Sequence, residues 1–400
     1  VRPGILVQHT GLPDRSSPLV RCDVAGIVGF LPRRRWPQGA SEGDHLEIVL
    51  RTERDLWEHP DRLLFDAPSR RAVSSFFANG GDVVHLFVVC VGELADLVSP
   101  ASAEPALAPL MDRLRAEEDI GILLVPSAAW FPSRMDRTGT VTADAECLYG
   151  MFLAHCREMN NRFLMMDAPD SLHGLALERW VADFRQRHAA HASYGAIYYP
   201  WLLDKDERVP PAAVVAGNMA RLEIDHRPFG VAWPPANRTL RGATHCEVEL
   251  NWEEAGGLSE QAINPLLVQP GRGLVAFGAR TLSLSEDMKF VNSRRVLNMV
   301  TEQLRRDSEW AVFETNNPHL WDVLERDVLF RLAQFGSGGM LLEGPSGQDD
   351  YTVQCDRETN LPALRDAGQV NVQVRLRPVG TVEHIVVDLR IGDDGRAGGV

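Results

Sequence analysis

The chain has 400 residues, of which 44% are hydrophobic and 24% charged, a length that suits two packed units better than one. Its formal charge of -14 argues against a general nucleic-acid binder, which presents Lys and Arg stripes to phosphate. No stretch approaches the roughly 20 apolar residues of a membrane span, so neither nucleic acid nor a bilayer is an expected partner.

The basic residues are almost all arginine, with Lys205 and Lys289 the only lysines, a bias given no functional weight. Cys22, Cys90, Cys147, Cys156, Cys246 and Cys355 are scattered, with no C-x-x-C pair or other zinc spacing. Reduced, mostly buried thiols follow, and they suit the cytoplasm. Val1-Arg2-Pro3-Gly4 lacks the apolar centre of a signal peptide, so Sec export is not expected.

In chain order, residues 3–7 are a short β-prone run, and 10–18 are rich in turn formers, which predicts a loosely tethered arm over residues 1–22. From about 24 to 200 one pattern repeats, an apolar run ending at Pro or Gly and then an amphipathic helical stretch. Strands are expected at 26–31, 83–91, 120–125, 162–167 and 196–199, and helices at 69–78, 105–116, 143–159 and 172–190. Most of the strands are apolar at consecutive positions, as strands covered on both faces are. The result is an α/β domain over 23–270 with a mostly parallel sheet.

After residue 270 the pattern changes to a helix at 290–306, a strand at 311–314 and a helix at 318–335. The β-like segments 351–355, 370–378 and 382–391 follow, giving a smaller α+β unit over 271–391. The Gly-rich end, 392–400, is expected to be disordered. Each end of the chain thus offers a strand beside a turn-rich hinge. Composition favours pairing of both within their own chain as edge strands, and the alternative is donation to the open sheet edge of a neighbouring subunit.

Catalytic signatures are sparse. The glycine-rich segments 336–339 and 344–347 lack the G-x-S-x-G order, and no phosphate loop is present. His188 and His191, three apart on a predicted helix, lack further metal ligands and read as a solvated face. Asp167 ends a buried strand, where open α/β sheets bind ligands, with His173 six residues on. It is the residue that an α/β hydrolase-like enzyme would use. The preferred reading is that residues 167–169 end the strand and that Asp170 caps a helix starting near Ser171. Asn317 is the expected cap for the helix starting at Pro318. Tyr194, Tyr198, Tyr199 and Trp201 form an aromatic cluster, read as packing in preference to a binding surface.

The order of these segments resembles the sheath proteins of contractile phage tails, R-type bacteriocins and related injection systems. The resemblance starts at Pro3-Gly4-Ile5-Leu6-Val7 and continues through Phe76-Phe77-Ala78-Asn79-Gly80-Gly81, Leu123-Leu124-Val125-Pro126 and Met166-Asp167-Ala168-Pro169. It includes Ala196-Ile197-Tyr198-Tyr199-Pro200-Trp201, a helix start at Pro210-Pro211, and Gly230-Val231-Ala232-Trp233-Pro234-Pro235-Ala236-Asn237. Its strongest block is Asn264, Pro270-Gly271-Arg272-Gly273 and Gly278-Ala279-Arg280-Thr281-Leu282, followed by Phe290-Val291-Asn292-Ser293-Arg294-Arg295. The chain departs from the pattern at Gln8-His9, where an acidic pair is common, and at a displaced Trp233.

The resemblance implies a compact structural subunit, not an enzyme and without cofactor, that polymerises helically around an inner tube. Such a sheath contracts to drive the tube into a target cell envelope. Its implied partners are copies of itself, the inner tube protein, and baseplate and terminator proteins, with assembly in the cytoplasm into a phage tail or injection particle and extracellular release left open. A paralogue that adapts the lattice at baseplate or terminator without polymerising is the other reading within the family. The small unit, built from the C-terminal part and the N-terminal arm, is expected to face the tube. Ile5, Leu6 and Val7, with Val382, Ile385, Val387 and Leu389, are the expected subunit-joining arms. Val370, Val372 and Val374 are the expected accepting strand, and Arg326 and Arg331 on the helix at 318–335 the expected tube contacts.

Overall fold

Strands that are apolar at every position need cover on both faces, and a doubly wound sheet supplies it. The computed structural model describes residues 17–37, 39–135, 140–205, 207–344 and 350–381. Its large sheet comprises β1 (Ala25–Pro32), β2 (His45–Leu50), β3 (Val84–Val91), β4 (Ile122–Leu124), β5 (Phe163–Asp167), β6 (Gly195–Tyr199), β7 (Ile263–Gln269) and β8 (Gly273–Ala276). They lie in the order β8-β7-β6-β5-β4-β1-β3-β2. The six inner strands are parallel, with Ala25 opposite both Val84 and Ile122, and antiparallel β2 and β8 close the edges. The order turns back between β1 and β4, the switch point of such sheets.

Helices cover both faces. On one, α3 (Pro100–Ala116), α4 (Ala145–Met159) and α5 (Gly174–Arg187) bury Leu107, Phe152 and Trp180 against Phe87, Leu123 and Ile197. On the other, α1 (Glu53–Glu58), α2 (Ala67–Ala78) and α6 (Pro211–Asp225) bury Leu56, Phe76 and Val215 against Leu86, Met165 and Tyr198. The helix α7 (Trp252–Glu260) packs Ala255 on Leu267 and Val275 at the sheet's far edge.

The segment Phe76-Phe77-Ala78-Asn79-Gly80-Gly81 is a structural staple. Buried Asn79 donates to the carbonyls of Ser75 and Arg241 and accepts from Arg241 N, which ties the end of α2 to a distant loop. Gly80 has φ +96°, a left-handed value natural to glycine. Gly217 on α6 lies so near α2 that a Cβ there would stand 2.3 Å from the Phe76 carbonyl oxygen.

The C-terminal part is a smaller α+β unit: α8 (Val291–Ser308), α9 (Pro318–Ser337), β9 (Tyr351–Gln354), α10 (Pro362–Asp366) and β10 (Gln373–Leu376). Strands β9 and β10 pair antiparallel, Val353 opposite Val374. Val296, Val300, Val328, Leu332 and Phe335 form its core with Val20 and Cys22 from the chain's other end. The expected fold class, a mostly parallel α/β sheet with a smaller α+β unit, is what the structure has.

Several local expectations change. The strand expected at 311–314 does not form. Residues Glu309–Ala311 make a 3-10 turn, Phe313 sits at φ +72°, and Trp310 and Ala311 plug the α8–α9 corner against Leu320, Trp321 and Leu324. Asp170 caps no helix: α5 begins at Gly174, and Asp170 pairs with Arg208. Asn317 does cap α9, accepting from Leu320 N. The hairpin of β7 and β8 spans the 270/271 boundary, so β8 stays in the large sheet. The segment expected at 370–378 contributes a strand only over Gln373–Leu376, and the one at 382–391 lies outside the described residues.

Gly217→Ala should lower stability by about 1–3 kcal/mol, because helix α2 must retreat to admit the methyl group. The denaturant midpoint measures this, and an unchanged midpoint would contradict the close approach.

Candidate functional site

Helix α8 carries the geometry most suggestive of function, because polar side chains at its two ends hold two segments far apart in sequence, residues 17–22 and 379–381. At its C-terminal end the Asp307 carboxylate accepts from the backbone N–H and hydroxyl of Ser17, at 2.9 and 2.6 Å. Arg331 of α9 bonds both Asp307 oxygens, at 2.6 and 3.1 Å, and the Ser17 carbonyl at 3.0 Å. About one turn toward the N-terminus Gln303 accepts from Val20 N, and two turns further Arg295 donates to the Cys22 carbonyl and to Glu223, which accepts from Cys22 N. Residues 17–22 therefore run antiparallel along α8. Five extended steps span about 17 Å, matching the roughly 18 Å that twelve helical residues rise.

At the N-terminal end, Asn292 and Ser293 both donate to the Val379 carbonyl, and Asn292 accepts from the Thr381 hydroxyl at 2.7 Å. Helix α8 is itself fastened to the α/β body by the Arg295–Glu223 pair and by Asn298, which donates to the Arg162 carbonyl.

Between these fastenings lies a groove of about 410 Å³ lined by Leu297, Val300, Thr301 and Leu304 of α8 and by Val374, Arg375 and Leu376 of β10. Strand β10 has β9 on one side and, among the described residues, no strand on the other. Arg377 N donates to the Asp350 carbonyl on the β9 side. The alternation of an antiparallel ladder then turns the N–H and C=O of Val374 and Leu376 to the open side. An unpaired edge over an apolar channel can take one more extended strand, with hydrogen bonds from β10 and side-chain burial on α8.

Of the residues expected to accept an arm, Val374 lies in β10 and lines this groove. Val370 and Val372 precede the strand and pack toward Leu320, Trp321 and Leu324, with Asn360 holding Asn371 between them. The expected donors, Ile5, Leu6, Val7, Val382, Ile385, Val387 and Leu389, lie outside the described residues. Arg331 is corrected: it is 4% exposed and spent on Asp307 and Ser17. Arg326 does lie on the exposed face of α9, beside Leu329 and Phe330. The groove's helical wall was legible as apolar residues 297, 300 and 304 on one face of a predicted helix. Nothing local in the sequence marks Asp307.

The enzyme-like residues resolve as structure. Asp167 is 2% exposed, and its carboxylate accepts from Ala212 N at 2.7 Å, capping α6. Burial raises its pKa to about 7. Tyr198 and Trp201 are buried, Trp201 donating to the Ala168 carbonyl. The His188 ring lies tilted against Phe184, its Nε2 3.6 Å from Glu146. Glu47, His85 and Glu117 converge as metal ligands do, but Arg113 pairs with both carboxylates, which makes the cluster an ion-pair network.

The fold defines a class, the contractile tail sheath fold. A family model, the phage tail sheath C-terminal domain, matches residues 283–392. The chain is 25% identical over 186 residues to the tail sheath protein of Enterobacteria phage T4, covering 46% of this chain and 27% of that protein. Two solved structures match over nearly their whole length. The contracted helical sheath of the anti-feeding prophage has TM-score 0.71 and 21% identity, covering 98% of this chain and 99% of that one. The contracted PVC sheath of an extracellular contractile injection system has TM-score 0.69 and 22% identity, covering 99% of each. The resemblance read from the sequence is borne out, in fold over nearly the whole chain and in sequence over its C-terminal part.

Two outcomes follow. Asp307→Ala strands a buried guanidinium and should cost about 3 kcal/mol, whereas the double variant Asp307→Leu, Arg331→Met should cost less than either single change. Denaturation midpoints test this cycle, and additive losses would contradict a coupled pair. Asp167, with its pKa raised to about 7, keeps its proton in the folded state while the unfolded carboxyl ionises near pH 4. Stability should then fall between about pH 4 and 7 and level off above. Asp167→Asn should flatten that slope and gain up to roughly 4 kcal/mol at pH 8, as read from melting at several pH values.

Proposed function

We propose that this chain is the subunit of a contractile sheath, polymerising helically around an inner tube and contracting to drive it into a target envelope. The open β10 edge over the α8 groove carries the reading: it suits an extended arm from a neighbouring copy, and the anchored Ser17 and Thr381 suit fixed roots for outgoing arms. On this account Ile5 to Val7 and Val382 to Leu389 are the donors. Such a head-to-tail contact need not close on itself, so it propagates as a helix. Subunits joined by flexible arms can rotate and repack without parting, as a change of lattice requires.

The division into an arm (1–22), an outer α/β domain (23–270) and an inner unit (271–391) belongs to the same proposal, with the inner unit toward the tube. There Arg326, Leu329 and Phe330 on the exposed face of α9 are the contact, with Arg331 holding the arm root behind them. The partners are further copies, the tube protein, and baseplate and terminator proteins, assembled in the cytoplasm. The work is mechanical and involves no turnover, a reading supported by the use of Asp167 as a helix cap.

Leu304→Glu, which puts a charge into the groove, and removal of residues 1–11 should each leave folded monomers where the full chain forms tubes. Negative-stain microscopy and circular dichroism together check this. Full-length chain that stays monomeric with tube and baseplate proteins present would contradict the proposal, and co-assembly without self-polymerisation would favour the paralogue.

A further inference from the structure

A second groove, of about 620 Å³, opens at the carboxyl ends of the parallel strands, beside the starts of α2 and α6. Trp57 and Trp130 line it, 50% and 43% exposed, together with Arg70, Arg71 and Arg208. Arg208 lies 5.1 Å from the Trp130 ring and pairs with Asp170 and Glu247, and Arg71 pairs with Glu207. Glu207 also lines the groove, so two of its three arginines are compensated and Arg70 carries its one charge without an ion-pair partner among the described residues. Half-exposed tryptophans among arginines are the composition of an interface hot spot, not of solvated surface.

The complementary surface is on the same chain. Trp252 at the start of α7 is 59% exposed, and Glu253 beside it is exposed and forms no ion pair among the described residues. Helix α7 packs on β7, three strand positions from β4, about 15 Å across the sheet. The two patches therefore stand on separate elements of one copy.

We propose that the Trp57–Trp130 groove receives the Trp252–Glu253 corner of a second copy, with Glu253 opposite Arg70. The contact is heterologous, acts between α/β domains independently of the arms, and rests on the sheath reading only in that copies must meet side by side. Its charge pairing sets register and excludes wrong partners.

The test mixes full-length Ser74→Cys, in the groove, with Gly257→Cys, one turn along α7, where a Cβ meets nothing within 4 Å. A short bis-maleimide cross-linker should join the two variants, and the single variants report the background from Cys147. Arg70→Glu in the first partner should cut the yield about five-fold, and Glu253→Arg in the second should restore it. Tubes without this cross-link would overturn the groove contact and leave the sheath reading intact. Cross-linking in a chain that never forms tubes would do the reverse. Yields indifferent to Arg70→Glu, or a Ser74→Cys product mapping elsewhere, overturn the proposal.

Discussion

Helix α8 is the constraint on which the rest depends. Asp307 and Gln303 fix the chain entering from the N-terminal side, while Asn292 and Ser293 fix the chain leaving on the C-terminal side. The anchors at Asn292 and Asp307 stand about 22 Å apart along the helix. The Arg295–Glu223 pair, 4% and 7% exposed, ties the same helix to the α/β body. Removing one partner of such a buried pair leaves a charge without compensation, so the linkage resists partial failure. Both end segments are thus tied to α8, and α8 to the α/β body.

That arrangement asks for a stiff body, and its loops are stiffened accordingly. Asn264, fully buried, donates to the Ile197 and Arg280 carbonyls and accepts from Arg280 N, binding the end of the large sheet to the segment that leads into α8. Arg272, in the β7–β8 turn, bonds the side chain and carbonyl of Asn237. Asn79 does the same between α2 and the loop at Arg241. The Asn264 and Asn79 bonds satisfy backbone groups that a loop would otherwise leave unpaired, and the Arg272 bonds join two exposed loops. These ties bind the described body into one piece.

The alternation of apolar runs and amphipathic stretches made the parallel sheet and its covering helices legible, because burial on both faces leaves a continuous apolar signature. Strand β2 escaped notice because it is an edge strand whose Glu47 pairs with His85 and Arg113, a charge pattern that reads as surface. The run at 311–314 misled for the opposite reason: Trp310 and Ala311 are apolar to fill a helix corner, and backbone pairing was never available. Arg331 looked like a surface charge on an amphipathic helix, yet a carboxylate 24 residues away takes it inward. Aromatic Tyr198 and Trp201 and acidic Asp167 gained their roles from neighbours distant in sequence, which composition and spacing do not reveal.

The central claim is that the open edge of β10 is where copies join. Hydrogen exchange at the Val374 and Leu376 amides, compared between dispersed subunits and assembled tubes, addresses it directly. The account predicts fast exchange in the monomer and strong protection on assembly, with β9 amides changing little. Equal, fast exchange of both amides in the two states would contradict it.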